Sequence, residues 1–473
     1  MGFSLDESLS LFKDKINDCI KSGKSIAVTT HIDCDGLTSG SIITKALIRA
    51  GAKCTVRTSK EFNDNVINNL KKESRDFQVI TDLAGGFAKE LDSEFGDNWI
   101  VLDHHEISEE EQDSPNVINA WKYGIDGGSE ICAGGMAYLA ANALDENNSD
   151  LSAIAVVSAL GDRQDQGEKK SFTGKNFEIA NTAKELGFLD IDLDLILVGR
   201  ETRPLPDALA FTSQPFIEGL TWNRDSCLSI LNSSGIKLKD GGRWRVPAEL
   251  NEDEKRKVIE SITKFTSGKN ATDIMSELIG YTYTFPHEDK RSFLRDGREF
   301  STMLNSCGRI SKSGVGIAIC MGDRNKILRE GEKILSEYRK MIREYMNIIN
   351  NERWRVAEKP AYVMVNGEGI VPETMTGTIS SLIAGSPKNA GKIIILRTGG
   401  EENTIKFSSR KSFSCKSNVN LSELMRKGAE KFDGVGGGHD AAAGAKITKD
   451  KLNEFLDYLE ANVDNVSSTS KSQ

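Results

Sequence analysis

Short apolar runs alternate with amphipathic stretches through the first third of the chain. Residues 25–30 predict a buried strand, and residues 39–50 place apolar side chains at helical spacing. Later apolar runs at residues 53–57, 77–81 and 99–102 predict further strands, with helical stretches between them. Strands that alternate with helices form a parallel sheet with helices on both faces. We therefore expect an α/β fold in this part of the chain.

The rest of the chain predicts a less regular centre and a second α/β unit. Residues 190–325 have mixed character without an internal repeat. Residues 326–352 repeat apolar side chains at helical spacing among charged ones, which predicts one long amphipathic helix connecting two lobes. Residues 360–460 predict a smaller α/β lobe, and the polar residues 465–473 predict a disordered tail.

Composition and charge narrow the class of protein. The chain has 473 residues, of which 28% are charged and 38% hydrophobic, so a globular fold is expected. No apolar run reaches the ~20 residues of a membrane span, and no signal segment opens the sequence. The eight cysteines form no CxxC pair, which argues against a zinc ribbon and for reduced thiols in the cytoplasm. The net charge of −9 argues against a basic coat protein for nucleic acid, but an enzyme with a local basic groove remains compatible.

Acidic and histidine side chains follow the ends of successive apolar runs. The motifs are His31-Ile-Asp33-Cys-Asp35-Gly36, Thr81-Asp82, Asp103-His104-His105 and, after a fourth apolar run from Ile154 to Leu160, Gly161-Asp162-Arg163-Gln164-Asp165. If the fourth run is also a strand, four strand ends deliver these groups to one edge of the sheet, where ligands bind in such folds. Three of the five histidines of the chain lie in these motifs.

This set of side chains favours divalent cations. Carboxylates with a few imidazoles suit Mn²⁺ or Mg²⁺, whereas structural zinc favours thiolates. In an extended turn, His31, Asp33 and Asp35 occupy alternate positions and can project to one side. Two ions about 3.5–4 Å apart can polarise a phosphoryl group, activate water and stabilise a leaving oxygen. Asp103 is placed to orient a neighbouring histidine ring from behind.

Each motif alone also has an ordinary structural explanation. An aspartate at a strand end is usually a turn or helix cap, and a histidine pair is more often a surface or packing feature than a ligand. The order of the motifs after successive apolar runs favours a shared site. Cys34 lies between two acids and is interpreted as a packing residue, with thiolate ligation as the alternative.

Taken in order along residues 31–165, the motifs resemble those of the DHH phosphoesterase superfamily. The resemblance implies a two-metal site with two ions of Mn²⁺ (or Mg²⁺). In that site His31 and Asp33 bind one ion. Asp35 and His104 bind the other ion, and Asp82 bridges the two.

The resemblance leaves the last metal-binding aspartate open. The Leu-Gly-x-x-x-Asp spacing favours Asp165, and Asp162 is the alternative. The resemblance also implies that His105 faces the scissile phosphate. The residues expected to carry catalysis are Asp35, Asp82, Asp103, His104 and His105.

A glycine-rich string, Gly434-Val-Gly436-Gly437-Gly438-His439, lies near the C-terminus. Consecutive glycines let backbone amides approach a phosphate, and the N-terminus of a following helix favours an anion; a flexible hinge is the alternative. Residues 387–431 carry ten basic and four acidic residues, which favours a phosphate-binding groove over a merely solvated surface. The string is similar to the GGGH motif of the C-terminal domain that accompanies DHH domains. This resemblance implies phosphate contacts from Gly436, Gly437, Gly438, His439 and Arg410.

Two further segments narrow the resemblance. Asn305-Ser-Cys-Gly308-Arg309 resembles the Asn-Ala-Ala-Gly-Arg stretch of RecJ-type exonucleases, which implies close backbone approach at Gly308 and a phosphate contact by Arg309. Residues 199–206 resemble a segment of archaeal RecJ-like proteins, among them the GINS-associated nuclease, and those proteins hold an insertion that corresponds to residues 195–295. Arg200 and Arg203 in this segment either touch nucleic acid or form structural salt bridges. His287 is expected in a surface loop.

The sequence therefore predicts a metal-dependent exonuclease acting on single-stranded DNA or RNA, in replication or repair, with GINS as the protein partner that the resemblance suggests and with no membrane association. One alternative is a phosphodiesterase or phosphatase of the same superfamily that acts on short oligonucleotides or small substrates. Another is a scaffold of a replication complex with little activity. The predicted domains are a catalytic domain at 1–190, an inserted α/β region at 195–295, a connecting segment with the long helix at 296–355 and a nucleic-acid-binding domain at 356–462.

Overall fold

The structure is a computed structural model that describes residues 4–107, 113–266, 271–401, 403–412 and 414–468. The chain divides into two compact units, the first ending at Leu335 and the second beginning at Ser336. Among the described residues, no helix is both long and apolar enough to cross a membrane.

The first unit is built on a sheet of five parallel strands. The strands are β1 (Ser25–His31), β2 (Lys53–Ser59), β3 (Phe77–Thr81), β4 (Trp99–Asp103) and β5 (Val117–Asn119). Their order across the sheet is β2-β1-β3-β4-β5, and each neighbouring pair is parallel. The predicted parallel α/β sheet is therefore confirmed. Because the five strands run in the same direction, their carboxyl ends lie along one edge of the sheet.

Helices cover both faces of this sheet. They are α1 (Leu5–Lys21), α2 (Cys34–Arg49), α3 (Asp64–Glu73), α4 (Ala88–Phe95) and α5 (Ala133–Leu144). Alternate strand residues point to opposite faces, so Val79 and Leu102 enter a core with α1, α2 and α5. Ile80 and Val101 enter a second core with α3 and α4.

The apolar run Ile154–Leu160 is a helix rather than the fourth strand that was expected. It belongs to α6 (Ser152–Gly161), which packs against α2 and α5 and is buried along most of its length. A helix that is apolar on every side shows no amphipathic period, so its sequence is indistinguishable from a buried strand. The Gly161–Asp165 motif therefore follows the end of a helix.

A segment with its own core follows α7 (Gly174–Glu185). Strands β6 (Asp190–Leu195) and β9 (Ile279–Thr284) pair antiparallel and enclose it. Between them lie α8 (Leu205–Phe211), α9 (Arg224–Ser233), the hairpin of β7 (Lys239–Asp240) and β8 (Arg243–Trp244), α10 (Glu252–Phe265) and α11 (Ala271–Leu278). A hydrophobic cluster from Leu195 to Leu278 fills this segment. This segment overlaps the predicted α/β insertion at residues 195–295, and its described residues form four α-helices with two short antiparallel strand pairs.

Arg200 and Arg203 in this segment make contacts within the chain. Arg200 is largely buried and its guanidinium lies 2.8 Å from the carboxylate of Asp194. The guanidinium of Arg203 lies 4.4 Å from the centre of the Phe211 ring. Of the two alternatives for Arg200, the structural salt bridge is the one observed. His287 is exposed in a turn, as expected.

Three helices complete the connection between the units. They are α12 (Gly297–Arg309), α13 (Ser313–Met321) and α14 (Lys326–Asn351). The long helix predicted at residues 326–352 is confirmed within one residue. The boundary between the two units falls inside α14.

The second unit is a mixed sheet of six strands with helices. The strands are β10 (Val356–Glu358), β11 (Tyr362–Asn366), β12 (Ile393–Gly399), β13 (Thr404–Lys411), β14 (Val435–His439) and β15 (Ala442–Thr448), in the order β10-β11-β12-β13-β15-β14. Its helices are α15 (Thr376–Ala384), α16 (Leu421–Lys431) and α17 (Leu452–Ser468). Helix α17 continues through residues 465–468, so the tail that was expected to be disordered is helical there; residues 469–473 lie outside the described part of the chain.

Candidate metal centre

The turn from His31 to Asp35 joins the end of β1 to the start of α2. Asp33 is the N-cap residue, and its carboxylate accepts a hydrogen bond from the Gly36 amide at 3.1 Å. The ring of His31 lies beside it, with 3.0 Å between Nδ1 and Asp33 Oδ2. Asp35 is already in the first turn of the helix and is buried. The prediction of an extended turn from His31 to Asp35 is therefore wrong. Asp35 points to a different group of residues from His31 and Asp33.

Asp82 stands between these two groups at the end of β3. Its Oδ2 lies 3.5 Å from His31 Nδ1, and its Oδ1 lies 3.4 Å from His104 Nε2. The residue is 2% exposed, and its Oδ2 receives no hydrogen bond from the described residues. Its φ of +59° lies in the left-handed region, which costs a non-glycine residue free energy and is found at functional sites.

The second group consists of Asp35, His104 and Asp162. His104 Nε2 lies 3.3 Å from Asp35 Oδ2, and His104 Nδ1 lies 3.9 Å from Asp162 Oδ2. The carboxylate of Asp35 also accepts hydrogen bonds from the amides of Ala133 and Gly134, at 2.9 and 2.8 Å, and from the hydroxyl of Ser158. The N-terminus of α5 therefore holds Asp35 in place.

Asp103 orients the ring of His105. Its Oδ1 lies 2.8 Å from His105 Nδ1 and also accepts from the backbone amide of His104 at 2.8 Å. Its Oδ2 accepts from the Gly85 amide at 3.1 Å. Since Asp103 occupies Nδ1, Nε2 is the nitrogen of His105 that is left for another partner, and this side chain is 56% exposed. This position fits the expectation that Asp103 orients a neighbouring histidine ring.

The cluster shifts the pKa values of its members. Burial and the charge of Asp82 raise the pKa of Asp35 to about 6, although His104 opposes the rise. Partial desolvation and the charge of Asp35 likewise raise the pKa of Asp162 to about 7, against the attraction of His104. Burial alone would lower the pKa of His104, but Asp82 and Asp35 outweigh it and raise that pKa well above its usual range. Carboxylates that resist ionisation and imidazoles that attract protons indicate an excess of negative charge, which a cation would neutralise.

These residues fit divalent cations. His31, Asp33 and Asp82 place one ligand atom each within 4.8 Å of one another, and so do Asp35, His104 and Asp162. The donors are carboxylate oxygens and imidazole nitrogens, and the buried Asp82 Oδ2 still lacks a hydrogen-bond donor among the described residues. Cys34 is buried and its Sγ lies 3.5 Å from the Val157 carbonyl, consistent with the packing interpretation.

Asp162, not Asp165, lies in this cluster. The carboxylate of Asp165 instead accepts from the guanidinium of Arg298, at 2.7 Å to Nη2 and 3.2 Å to Nε. The Leu-Gly-x-x-x-Asp spacing favoured Asp165, but Asp162, which was the alternative, is the one that lies beside His104.

Three family models match the chain. They are the N-terminal domain of the DHH family at residues 25–161, the DHH-CID domain at 197–278 and the DHHA1 domain at 361–465. An uncharacterized protein of Methanocaldococcus jannaschii is 31% identical over 445 residues, which cover 91% of each chain. The chain belongs to the DHH superfamily.

Solved structures show that this DHH protein has a RecJ-like fold. RecJ from Thermus thermophilus, in complex with Mn²⁺, has a TM-score of 0.59 at 15% identity, covering 98% of this chain and 55% of RecJ. CDC45 from Entamoeba histolytica has a TM-score of 0.62 at 13% identity, covering 98% of this chain and 100% of CDC45. The chain thus spans about half the length of the Thermus RecJ.

The end of α12 packs against the turn between β1 and α2, at residues Ile32–Cys34. Asn305 Oδ1 accepts from the Cys34 amide at 3.1 Å. A Cβ atom on Gly308 would lie 1.7 Å from the Ile32 carbonyl oxygen, so only glycine fits there. The close approach expected at Gly308 is therefore to the protein's own backbone. Burial alone would raise the pKa of Asp33, but His31 and, more weakly, Arg309 hold it well below its usual range. Arg309 follows Gly308, which packs against Ile32.

The glycine string of the DHHA1 region is a strand, not a loop that leads into a helix. Gly436, Gly437 and Gly438 lie in β14, which pairs with β15 at one edge of the sheet. A Cβ on Gly436 would meet the Met425 carbonyl oxygen of α16 at 2.4 Å, whereas a Cβ on Gly437 would meet nothing within 4 Å. The expected helix N-terminus is wrong, because β15 follows directly. His439 is exposed at the end of β14.

Arg410 and the basic residues of this region are partly engaged within the chain. The Arg410 guanidinium donates to the Ser409 carbonyl at 2.7 Å and to the Ser381 hydroxyl at 3.2 Å. Ion pairs of 4.0 Å or less join Lys388 and Lys392 to Glu358, Arg397 to Glu368, Lys411 to Asp440, Arg426 to Glu430 and Lys427 to Glu423. The positive charge counted along the sequence is therefore partly neutralised.

Proposed function

We propose that this chain is a divalent-metal-dependent exonuclease that hydrolyses phosphodiester bonds of single-stranded DNA or RNA. One observation carries the proposal: Asp82 lies between two groups of carboxylates and imidazoles, drawn from the ends of β1, β3, β4 and α6. Membership of the DHH superfamily supports hydrolysis of phosphoester bonds, and the manganese in the RecJ structure supports the choice of ion.

In this proposal the two groups of residues hold two ions of Mn²⁺ or Mg²⁺. His31 and Asp33 hold one, Asp35, His104 and Asp162 hold the other, and Asp82 is shared. Bound ions of this kind supply polarisation of phosphoryl oxygens, activation of water and neutralisation of charge on the leaving oxygen. Asp33 remains ionised because its pKa is held low, so it offers a permanent negative charge to a cation.

His105 is the residue that we assign to the scissile phosphate. Partial desolvation lowers the pKa of His105, but the Asp103 carboxylate at Nδ1 outweighs it and raises that pKa to about 9. A protonated ring, held at Nδ1 by Asp103, would donate a hydrogen bond from Nε2 to a phosphate oxygen. Asp103 serves as its positioning residue.

Other residues are assigned to the nucleic-acid strand. Arg309 follows Gly308, which packs against the turn that holds Asp33, and it offers a planar fork of donors for a phosphate. In the second unit, the open backbone at Gly437 and the exposed imidazole of His439 offer further phosphate contacts, with Arg410 on strand β13. The resemblance to archaeal RecJ-like proteins extends the proposal to the GINS complex as a partner, and co-purification from the native cell tests that part.

Digestion of end-labelled oligonucleotides tests the proposal. Single-stranded DNA and RNA, labelled at either end, are incubated with the protein and Mn²⁺, Mg²⁺ or a chelator. We expect metal-dependent release of mononucleotides from single strands and none in chelator. A dinucleotide substrate, run in parallel, separates an exonuclease from a phosphodiesterase of small substrates, since the latter turns over the dinucleotide and leaves the long strand intact.

Asp82→Ala is the decisive variant, because it removes the group shared by both sets of ligands. We expect the rate to fall at least about 100-fold. The control is Asp14→Ala, which removes a carboxylate from an exposed position on α1 and should leave the rate unchanged. Full activity of Asp82→Ala would refute the two-metal assignment.

A further inference from the structure

A buried glutamine lies directly behind the candidate metal centre. Gln164 is 0% exposed and follows Asp162 by two residues, just after the end of α6. Its backbone amide donates to the Ala159 carbonyl at 2.9 Å, which fixes its main chain to the helix end. A fully buried amide side chain is costly unless its hydrogen bonds are made, so its partners show what its position achieves.

The amide nitrogen of Gln164 faces the cluster. Its Nε2 donates to Asp162 Oδ2 and to the Gly127 carbonyl oxygen, each at 2.8 Å, with the Ile131 carbonyl farther away at 3.3 Å. Carbonyl oxygens only accept, so this end of the side chain must be the NH₂ group. Its two hydrogens match the two short contacts, and one of these aims the carboxylate of Asp162.

The Gly127 carbonyl carries the effect of Gln164 to His104. The same oxygen accepts from His104 Nδ1 at 2.6 Å. Because the oxygen cannot donate, Nδ1 carries a hydrogen, and Nε2 is the nitrogen left for a ligand. That Nε2 faces Asp35 and Asp82 at 3.3 and 3.4 Å. One oxygen thus binds both Gln164 and the ring of His104.

A second buried amide holds Gln164 from behind. The side-chain Nδ2 of Asn176 donates to Gln164 Oε1 at 2.5 Å. The backbone N–H of Asn176 donates to the Glu130 carbonyl at 2.8 Å. Asn176 is 3% exposed and lies on α7. Since Oε1 is engaged there, the amide of Gln164 has one orientation only.

We propose that Gln164 is a positioning residue for the metal centre, which sets the carboxylate of Asp162 directly and the ring of His104 through the Gly127 carbonyl. The inference rests on the proposed function, because it assumes that divalent ions bind at the cluster. Hydrogen-bond partners of metal ligands typically contribute roughly 10- to 100-fold to metal affinity, since they fix the orientation of the ligands.

Manganese binding to the full chain tests this proposal without an activity assay. Gln164→Met keeps the length of the side chain and removes its donors. We expect about 10- to 100-fold weaker Mn²⁺ binding by calorimetry. We also expect weaker histidine nitrogen modulation in the pulsed electron paramagnetic resonance spectrum of bound Mn²⁺, because the ring of His104 is no longer held while His31 still contributes its nitrogen. Gln166→Met makes the same change at an exposed position two residues away and should alter neither readout.

The outcomes separate this proposal from the proposed function. If the wild-type chain binds no Mn²⁺, both are overturned. If the wild-type chain binds Mn²⁺ and Gln164→Met does so with equal affinity and an unchanged spectrum, Gln164 has only a structural part, even if the variant melts earlier. Should Gln164→Met fail to fold, Asn176→Leu decides: it leaves Gln164 in place but frees its amide, and wild-type affinity in that variant overturns the proposal.

Discussion

Gly308→Ala tests whether the end of α12 sets the position of the turn that carries His31 and Asp33. The new Cβ would lie 1.7 Å from the Ile32 carbonyl oxygen, and Cβ atoms in proteins essentially never approach below 3.0 Å. The backbone at Ile32 and the end of α12 must therefore separate by about 1.3 Å. Ile32 lies between His31 and Asp33, so the displacement falls on two candidate ligands.

The size of this displacement decides the expected effect. Metal–ligand distances are held within about 0.2 Å, several times less than the separation that alanine requires. A misplacement of about 1 Å at a reacting centre costs about 100-fold in rate. Overpacking of a buried contact also costs about 1–3 kcal/mol of stability. We therefore expect Gly308→Ala to lose Mn²⁺ affinity and at least about 100-fold in nuclease rate.

The measurement is Mn²⁺ titration by calorimetry, with nuclease rate and melting temperature followed on the same samples. Gly314→Ala is the matched control, because a Cβ at this exposed position on α13 meets nothing within 4 Å. It should keep wild-type affinity and change stability by no more than about 1 kcal/mol. A Gly308→Ala protein with native affinity and rate would show that α12 does not set the turn, and the reasoning would fail.

Two further predictions concern stability. Mn²⁺ at about 100 times its Kd should stabilise the chain by about 2.7 kcal/mol, so chelation lowers the melting temperature; an Asp82→Ala protein whose melting temperature still responds to Mn²⁺ would contradict this. Burial alone would raise the pKa of Asp194, but hydrogen bonds from Lys255 and Arg200 hold it below its usual value. The stability from this lowered pKa is fully present above about pH 4 and is lost as the pH falls through the folded value. Asp194→Asn should therefore lose about 3 kcal/mol at neutral pH and show a weaker acid dependence in urea unfolding, whereas Asp192→Asn, at an exposed position on the same strand, should match the wild type.

The convergence of the candidate site was predictable because it depends on topology. Apolar runs that alternate with helices predict a parallel sheet, and the residues after its strands must meet at one edge. His31, Asp82 and His104 follow this rule. Asp162 does not follow this rule, because it comes after the helix α6 and not after a strand. The sequence of α6 is apolar on all sides, so it has no helical period that would distinguish it from a buried strand.

Contacts made through the backbone were beyond the reach of the sequence. Gly308 packs against the backbone of Ile32, and Gly436 of β14 packs against the backbone of α16. The sequence shows that a glycine is present, but it does not show which segment of backbone lies against it. Gln164 was equally hidden. Its type and spacing are ordinary, and only the position of the Gly127 carbonyl gives it a part in the site.

The hydrogen bond from the Cys34 amide to Asn305 spans 271 positions of the chain. During synthesis the N-terminal sheet therefore leaves the ribosome well before α12, which contacts the turn between β1 and α2. A fragment that stops short of α12 would keep its strands and most of its acidic groups and still lack the support that aligns them. In this architecture the candidate metal centre is therefore completed late in translation, after the sheet itself.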